Sequence, residues 1–343
     1  MNSVYRFFKY VAVVLFFLAI ICVSANNIIN QDTVIPPHIE PQKTEISLPA
    51  PVYSFPFEQT TITVTSPIDP SVYNGAKSAD KETRITGNVS DDIWLQKTYL
   101  AMINDPNQEQ FYNDLIRNLR SIRDEQSLGD DEYLELIVVF VQSIRYETTS
   151  ESPPKFPIET YIDKSGDCDD KSLLLAGLLS REGYNVSLLS FKPESHMAVG
   201  VVCPGGEFKH TGYTFVETTN LSFVGIPTIT LSEGVPLFSD PQVINVGNGT
   251  KTFGSCKEAL YMDSVLKTSE TNVKDLTARI DSLKNEMDGY YTKRDAENYN
   301  LRVPLFNDLQ RKRLKYAELH NYILTHQYDR KGTYQYVKNN ISG

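Results

Sequence analysis

Three short segments of the chain carry side chains that together could perform acyl transfer. A cysteine attacks a carbonyl carbon as the thiolate, so it needs an imidazole to take its proton and an acidic group to orient that imidazole. Cys168, His196 and Glu217 supply the nucleophile, the base and the orienting carboxylate, in that order along the chain. They lie in Ser165-Gly-Asp-Cys-Asp-Asp170, Ser195-His-Met-Ala-Val199 and Phe215-Val-Glu-Thr-Thr219.

The residues after the cysteine have the spacing of a buried helix. Leucines one turn apart, at 174 and 178 and at 175 and 179, predict a helix from Cys168 to Arg181. Gly183 is placed to end it in a left-handed turn. Cys168 would then lie in the first turn, where unpaired N–H groups and the helix dipole favour a thiolate and could hold an oxyanion.

Three carboxylates surround the cysteine and complicate this picture. Asp167, Asp169 and Asp170 oppose ionisation of the sulfur, yet aspartate is also a natural helix-capping residue. We expect at least one of them to cap the helix and not to face the sulfur.

An alternating pattern follows the helix and predicts three strands. Apolar residues mark the first strand at 186, 188 and 191, the second at 197, 199 and 201, and the third at 213 and 215. His196 opens the second strand. Neighbouring antiparallel strands can place His196 beside Glu217 and direct both towards the start of the helix.

This arrangement resembles the transglutaminase-like superfamily of cysteine enzymes, whose core is a papain-like α+β fold. The resemblance spans roughly residues 137 to 220 and includes a helix ending near Tyr146, the Pro157-Ile-Glu-Thr160 lead-in, and the nucleophile helix and strands described above. It implies that Cys168 is the nucleophile, His196 the general base and acid, and Glu217 the orienting residue. The family most often has aspartate at the third position, commonly before proline, whereas Glu217 adds a methylene and precedes Thr218.

Simpler readings apply to each residue taken singly. A lone cysteine is more often a small buried apolar residue, and a lone histidine a satisfied polar one. Cys168 and His196 could also ligate a metal, with His210 as the nearby spare, but no second cysteine or histidine lies at the short spacing of a structural zinc site. We therefore expect neither a metal nor a cofactor.

The composition limits the partners. The 343 residues carry a net charge of −10 and 41% hydrophobic residues, which fits a globular protein with room for two domains. An acidic chain does not attract a phosphate backbone, so we expect no nucleic-acid partner. The short basic run at 311–313 indicates the solvated face of a helix and not a binding patch.

The N-terminus predicts export. Arg6 and Lys9 precede an uncharged apolar run from Val11 to Ala25, so residues 1–25 read as a signal peptide or a membrane anchor, and everything after Asn26 should lie outside the cytoplasm. We favour an uncleaved membrane helix, with secretion after cleavage as the alternative. Outside the cytoplasm disulfides persist, and Cys203 with Cys256 is the natural pair, leaving Cys168 free.

The remaining segments give the domain organisation. Frequent prolines make residues 26–85 an extended linker or stalk, part of which could pair with the edge of the folded domain. Residues 86–250 hold the transglutaminase-like domain, beginning with helices over 91–146.

Residues 256–330 show apolar positions at heptad spacing, which predicts a coiled-coil hairpin of two antiparallel helices. We place the joint near Asn298 to Pro304, because proline interrupts a helix. The hairpin could pack on the catalytic domain, bind a partner or pair with a second copy.

Three functions follow from these observations. The first is a membrane-anchored hydrolase of peptide or isopeptide amides acting through a thioester on Cys168. The second is a cross-linking acyl transferase, in which a substrate lysine resolves the thioester. The third is a non-catalytic binding or scaffold module, because a fold alone does not guarantee chemistry.

Overall fold

A computed structural model describes residues 32–45, 47–148, 153–228 and 236–341. The predicted signal peptide or membrane helix over residues 1–25 lies outside these ranges. Within them, no helix has both the length and the apolar composition that crossing a bilayer requires. The described part of the chain is an α+β fold with a helical C-terminal region.

The strands are β1 Thr33–Ile35, β2 Val52–Phe57, β3 Thr60–Thr65, β4 Arg84–Thr86, β5 Arg145–Tyr146, β6 Ser165–Gly166, β7 Asn185–Phe191, β8 His196–Val201, β9 Thr214–Val216 and β10 Gln242–Asn248. The α-helices are α1 Pro70–Ser78, α2 Asp91–Ile103, α3 Glu109–Gln126, α4 Asp130–Ser143, α5 Pro157–Asp163, α6 Cys168–Arg181, α7 Cys256–Thr292, α8 Ala296–Thr325 and α9 Arg330–Ile341.

Much of the tract predicted as a linker is folded into the body of the protein. β2 and β3 form an antiparallel hairpin in which alternate side chains, including Tyr53, Phe55 and Phe57, are buried in the main core. The prolines do favour extended backbone there, but aromatic residues on one face of β2 give it apolar surface to bury. Residues 52–78 therefore belong to the core and do not form a free stalk.

Helix α6 lies at the centre of the molecule. Its leucines at 173, 174, 175, 178 and 179 are fully buried, because it packs against α4 on one side and the sheet on the other. A helix that is apolar on nearly every face is stable only when it is enclosed in this way. The predicted bounds of α6 are confirmed, and Gly183 follows with a φ of +85°.

The sheet beside α6 has the strand order β10-β7-β8-β9, and all neighbours are antiparallel. The three predicted strands are confirmed as β7, β8 and β9. β10 was not predicted, because Ile244 is its one buried residue and the strand is otherwise polar or partly exposed. It pairs with β7 through an irregular register between Asn245 and Gly247.

The two faces of this sheet bury different side chains. Met197, Val199 and Val201 of β8 join the main core on the α6 side. Ala198 of β8 and Phe215 of β9 join a second cluster on the opposite face, together with Leu189, Phe191 and Leu237. Side chains alternate along a strand, so His196 and Glu217 emerge on the face of Ala198 and Phe215.

Helices α7 and α8 form an antiparallel hairpin, called the arm below. Its distal half has a core of its own, made of Leu276, Ile280, Leu283, Met287 and Leu309. Its base packs against α9 and Phe223 of the body. The apolar stripe therefore packs between the two helices of the arm at the tip and, as one of the alternatives expected, on the body at the base.

The predicted joint of the hairpin over 298–304 is wrong. The helices meet at residues 293–295, where Arg294 has a φ of +56° and Asp295 caps α8 by accepting the Asn298 N–H at 3.2 Å. Pro304 lies inside α8. Proline removes one backbone hydrogen bond, but Val303 and Phe306 on either side pack into the arm core and hold the helix through it.

Cys203 and Cys256 lie at disulfide distance, with Cα atoms 6.4 Å apart. The bridge joins the chain just after β8 to the first residue of α7, so it fastens the base of the arm to the sheet. Among the described cysteines Cys168 remains free.

Candidate active site

Cys168 is the first residue of α6, and the residue before it caps the helix. Asp167 accepts the N–H of Asp170 at 3.1 Å, and Asp170 in return accepts the N–H of Asp167 at 3.3 Å. This reciprocal capping box satisfies N–H groups that a helix start otherwise leaves unpaired. The expectation that at least one carboxylate caps the helix is confirmed for two of the three.

Asp169 is the carboxylate that faces the sulfur. Its Oδ1 lies 3.6 Å from Sγ of Cys168, and its Oδ2 accepts the Tyr99 hydroxyl at 3.1 Å. Burial, together with the charges of Asp169 and Asp167, raises the pKa of the Cys168 thiol well above its usual value. The sulfur is therefore a thiol in this resting structure, despite its place at a helix N-terminus.

The carboxylates are themselves perturbed. Burial and the charge of Asp167 raise the pKa of Asp169 to about 6 and that of Asp170 to about 7. Asp169 and Asp170 therefore take up protons much closer to neutral pH than an ordinary aspartate does.

His196 is the first residue of β8, and the backbone on either side of it contacts the cysteine. Sγ of Cys168 is 3.9 Å from the carbonyl oxygen of Ser195, and the backbone N–H of Met197 also interacts with the sulfur. Cys168 is 7% exposed and His196 6%, so both side chains are almost covered.

The imidazole is neutral in this environment. Burial lowers the pKa of His196, and the nearby carboxylates of Glu217 and Glu194 offset that effect only in part. The Phe191 ring lies beside the imidazole, with ring centroids 6.1 Å apart. A neutral imidazole carries one N–H and one basic nitrogen, which is the form that can accept a thiol proton.

Glu217 follows β9 directly and is held by hydrogen bonds on both oxygens. Its Oε1 accepts the N–H groups of Thr218 and Thr219 at 2.9 and 2.8 Å and the Thr219 hydroxyl at 2.7 Å. Its Oε2 accepts the Thr228 hydroxyl. Glu217 is 1% exposed, so these bonds replace the water that a buried carboxylate loses.

The structure brings His196 and Glu217 together. Nε2 of His196 lies 3.8 Å from Oε2 of Glu217, and within the described part of the chain it has no hydrogen-bond partner. No hydrogen bond from the imidazole to Cys168 is formed over the described residues, so the sulfur contacts the backbone beside His196 without being hydrogen-bonded to its ring.

Sequence reasoning missed a lysine buried behind the site. Nζ of Lys171, one turn after the cysteine, donates to the carbonyl oxygens of Gln142 at 3.1 Å, Ile144 at 2.7 Å and Thr219 at 3.4 Å. Burial lowers the pKa of Lys171 to about 7, and the charge of Glu217 partly restores it. The available signal was a lysine in an otherwise apolar stretch of a buried helix.

Metal ligands do not gather at the site. Across the described ranges, no group of three or more histidine, cysteine, aspartate or glutamate side chains is arranged to hold a metal ion. His210, the spare ligand considered from the sequence, is exposed in the turn between β8 and β9.

Comparison with known proteins gives no independent assignment. No protein-family model, no curated protein and no solved structure matches this chain. The functional assignment therefore depends on the side chains around Cys168.

Proposed function

We propose that this chain is a transglutaminase-like thiol enzyme that hydrolyses peptide or isopeptide amides through Cys168, His196 and Glu217. The papain-like character of its core is part of the same proposal. One observation supports it: a cysteine opens a buried helix against the start of the strand that bears a histidine, and that histidine lies 3.8 Å from a buried glutamate directly after the next strand.

The chemistry follows from the position of each nitrogen. In the proposed mechanism the Nε2–H of His196 closes from 3.8 Å to donate a hydrogen bond to Glu217, which leaves Nδ1 unprotonated and able to take the proton of the Cys168 thiol. The thiolate attacks the amide carbonyl carbon, and the imidazolium returns the proton to the leaving amine as the carbon–nitrogen bond breaks. Water, deprotonated by the same imidazole, then attacks the thioester and releases the acid and the free thiol.

The resting structure must change before the first step. Asp169 faces the sulfur and opposes the thiolate, so substrate must move this carboxylate away or leave it protonated. The first-turn N–H groups of α6 that the capping box does not use would stabilise negative charge on the substrate oxygen.

Export and anchoring belong to the proposal as well. The apolar segment at residues 11–25 would hold the enzyme at the outer face of a membrane, and the Cys203–Cys256 pair supports an oxidising location. A protein or peptide is the expected substrate. The arm is proposed as a surface for a partner or a second copy.

A non-catalytic binding module is the second candidate, and one observation favours it. Both reacting groups are neutral at rest, with the thiol pKa raised and the imidazole pKa lowered, whereas many thiol enzymes keep a preformed ion pair. In that case the helix and sheet would serve only as a scaffold.

Alkylation of Cys168 across pH separates the two candidates. The full chain carries Cys22→Ser, so that Cys168 is its one reactive thiol, since Cys203 and Cys256 are paired. Iodoacetamide incorporation is followed by mass spectrometry. Because burial raises the pKa of the resting thiol, labelling without substrate should be slow for either candidate, and the enzyme proposal expects it to become slower still in His196→Ala. Labelling that is slow and indifferent to His196→Ala would support the binding module.

A second measurement separates hydrolysis from transfer. An active preparation is given an acyl substrate with and without a primary amine, and products are identified by mass. Hydrolysis predicts the free acid in both cases. Efficient incorporation of the amine at low concentration would instead show a transferase.

A further inference from the structure

The segment that carries Glu217 is fastened from two helices at once. Gln142, at the end of α4, donates its side-chain amide to the carbonyl oxygens of Glu217 at 2.8 Å and Ser222 at 3.0 Å. Its own amide oxygen accepts the Ser222 N–H at 3.4 Å. The loop after β9 is therefore pinned to the end of α4 by one glutamine.

Helix α6 reaches the same segment with two consecutive side chains. Lys171 donates to the carbonyl oxygen of Thr219, and the Ser172 hydroxyl lies 3.1 Å from that of Thr218 and 3.3 Å from the carbonyl oxygen of Met197. Lys171 and Ser172 are fully buried. One turn of the helix that begins with Cys168 thus contacts both the strand of His196 and the residues that hold the Glu217 carboxylate.

The three acceptors around Lys171 explain why a lysine is kept in the core. An ammonium has three N–H donors, and the carbonyl oxygens of Gln142, Ile144 and Thr219 supply three acceptors. The first two lie at the C-terminus of α4, where carbonyls lack helical partners and favour a cation. An apolar residue of the same size would leave all three carbonyls unpaired.

We infer that Lys171 and Gln142 are positioning residues that hold Glu217 against the His196 imidazole. Glu217 accepts hydrogen bonds from the backbone of Thr218 and Thr219, so fixing those residues fixes the carboxylate. Glutamate has one more rotatable bond than aspartate, and the hydrogen bonds from Lys171 and Gln142, called the clamp, offset that freedom. This inference rests on the proposed function for its meaning, but its test does not require turnover.

The test follows the titration of His196 by NMR in the full chain labelled with ¹³C-histidine. The chain has five histidines, so His196→Gln identifies the signal and the other four serve as internal references. The groups that raise the pKa of His196 are Glu217 and Glu194. Glu217→Gln should lower the His196 midpoint by about one pH unit, because an opposite charge is lost.

Lys171→Met should also lower the His196 midpoint, because the Glu217 carboxylate is no longer held beside the imidazole. If Lys171 acted only as a nearby positive charge, its removal would raise the midpoint, so the sign alone decides. The double variant with Glu217→Gln should show no further drop, because both changes remove one interaction. An unchanged or raised midpoint in Lys171→Met would overturn the inference.

Lys155→Met is the matched control. Lys155 is also partly buried beside the start of α6, but it donates to the carbonyl oxygen of Ser165 at 2.9 Å and does not contact the Glu217 segment. The His196 midpoint in Lys155→Met should match that of the unmodified chain.

If Lys171→Met does not fold, Gln142→Met decides, since it releases the Glu217 backbone from α4 and must then lower the midpoint. A Gln142→Met variant that folds with an unmoved midpoint would refute the clamp. Slow, His196-independent alkylation of Cys168 would refute the enzyme while leaving a confirmed clamp intact, so the two failures are distinguishable.

Discussion

The two sides of the candidate site are built differently. On the carboxylate side, each oxygen of Glu217 accepts at least one hydrogen bond, and Lys171 and Gln142 hold the surrounding backbone. On the sulfur side, Cys168 faces the carboxylate of Asp169 and is held as a thiol. The Glu217 carboxylate is thus held in place by hydrogen bonds, and the Cys168 sulfur is kept uncharged.

This difference suggests where each kind of mutation should act. Changes on the sulfur side should alter reactivity with little effect on folding. Changes on the carboxylate side should cost stability, because buried polar groups lose their partners.

The largest effect is expected for Cys168→Ala. It should abolish amide hydrolysis, a loss of about 10³-fold or more, because the covalent step has no substitute. Unfolding free energy should change by only about 1 kcal/mol. Residual hydrolysis in Cys168→Ala, measured with the same substrate, would place the chemistry elsewhere.

In contrast to Cys168→Ala, Lys171→Met should mainly reduce stability. Three carbonyl oxygens lose their donor, and we expect a loss of about 3 kcal/mol in unfolding free energy by urea denaturation. Lys155→Met frees one carbonyl, that of Ser165, and removes partly exposed ion pairs with Asp163 at 3.4 Å and Asp170 at 4.0 Å, and it should cost about 1 kcal/mol. Equal losses of unfolding free energy in Lys171→Met and Lys155→Met would show that the carboxylate side has no special role in stability.

Under the proposed mechanism Glu217→Gln should lower the rate on the order of 10²-fold, because the negative charge that stabilises the protonated His196 imidazole is lost. The measurement is kcat with saturating substrate. Thr228→Val is the matched comparison, since it removes only the hydroxyl on Oε2 and should have a smaller effect. A rate unchanged in Glu217→Gln would show that the carboxylate has no part in orienting His196.

Asp169→Asn should increase reactivity. Removing the negative charge beside Sγ lowers the pKa of the thiol, and each unit of that fall gives about tenfold more thiolate at a pH below it. Burial raises the pKa of Asp169 to about 6, so the gain in alkylation rate should appear above pH 6 and shrink below it. A slower reaction in Asp169→Asn would mean that this carboxylate assists the sulfur.

The smallest effect concerns stability against pH. The pKa of Asp170 is raised to about 7 by burial and Asp167, so the folded state binds a proton that the unfolded state releases between about pH 4 and 7. Unfolding free energy should therefore fall as pH rises through this window, and Asp170→Asn should flatten the slope by up to about 1 kcal/mol per unit. Asp275→Asn, on an exposed face of α7, should leave the slope as it is.

Much of this arrangement could be read from the sequence. Apolar spacing gave the bounds of α6, and alternation gave β7, β8 and β9, because these elements are enclosed and their patterns are nearly uninterrupted. The position of His196 at the start of β8 followed from the same alternation.

The rest depends on contacts between distant residues. The pattern of β10 is weak because the strand lies at a sheet edge, and the burial of β2 depends on aromatic partners in α4 and α5. The three carbonyls around Lys171 come from residues up to 48 positions away, so no local pattern reveals them. The joint of the arm was misplaced because proline is tolerated in a helix whose neighbouring turns are packed.

The bond between Cys203 and Cys256 closes a covalent ring, since the two residues are 53 positions apart. That ring contains Glu217 and the threonines at 218, 219 and 228 that hydrogen-bond to its carboxylate. A protease that cuts once anywhere within it leaves both fragments attached, so the nicked chain should migrate as one species until a reductant is added. The segment that holds the Glu217 carboxylate is thereby protected against loss by a single cleavage.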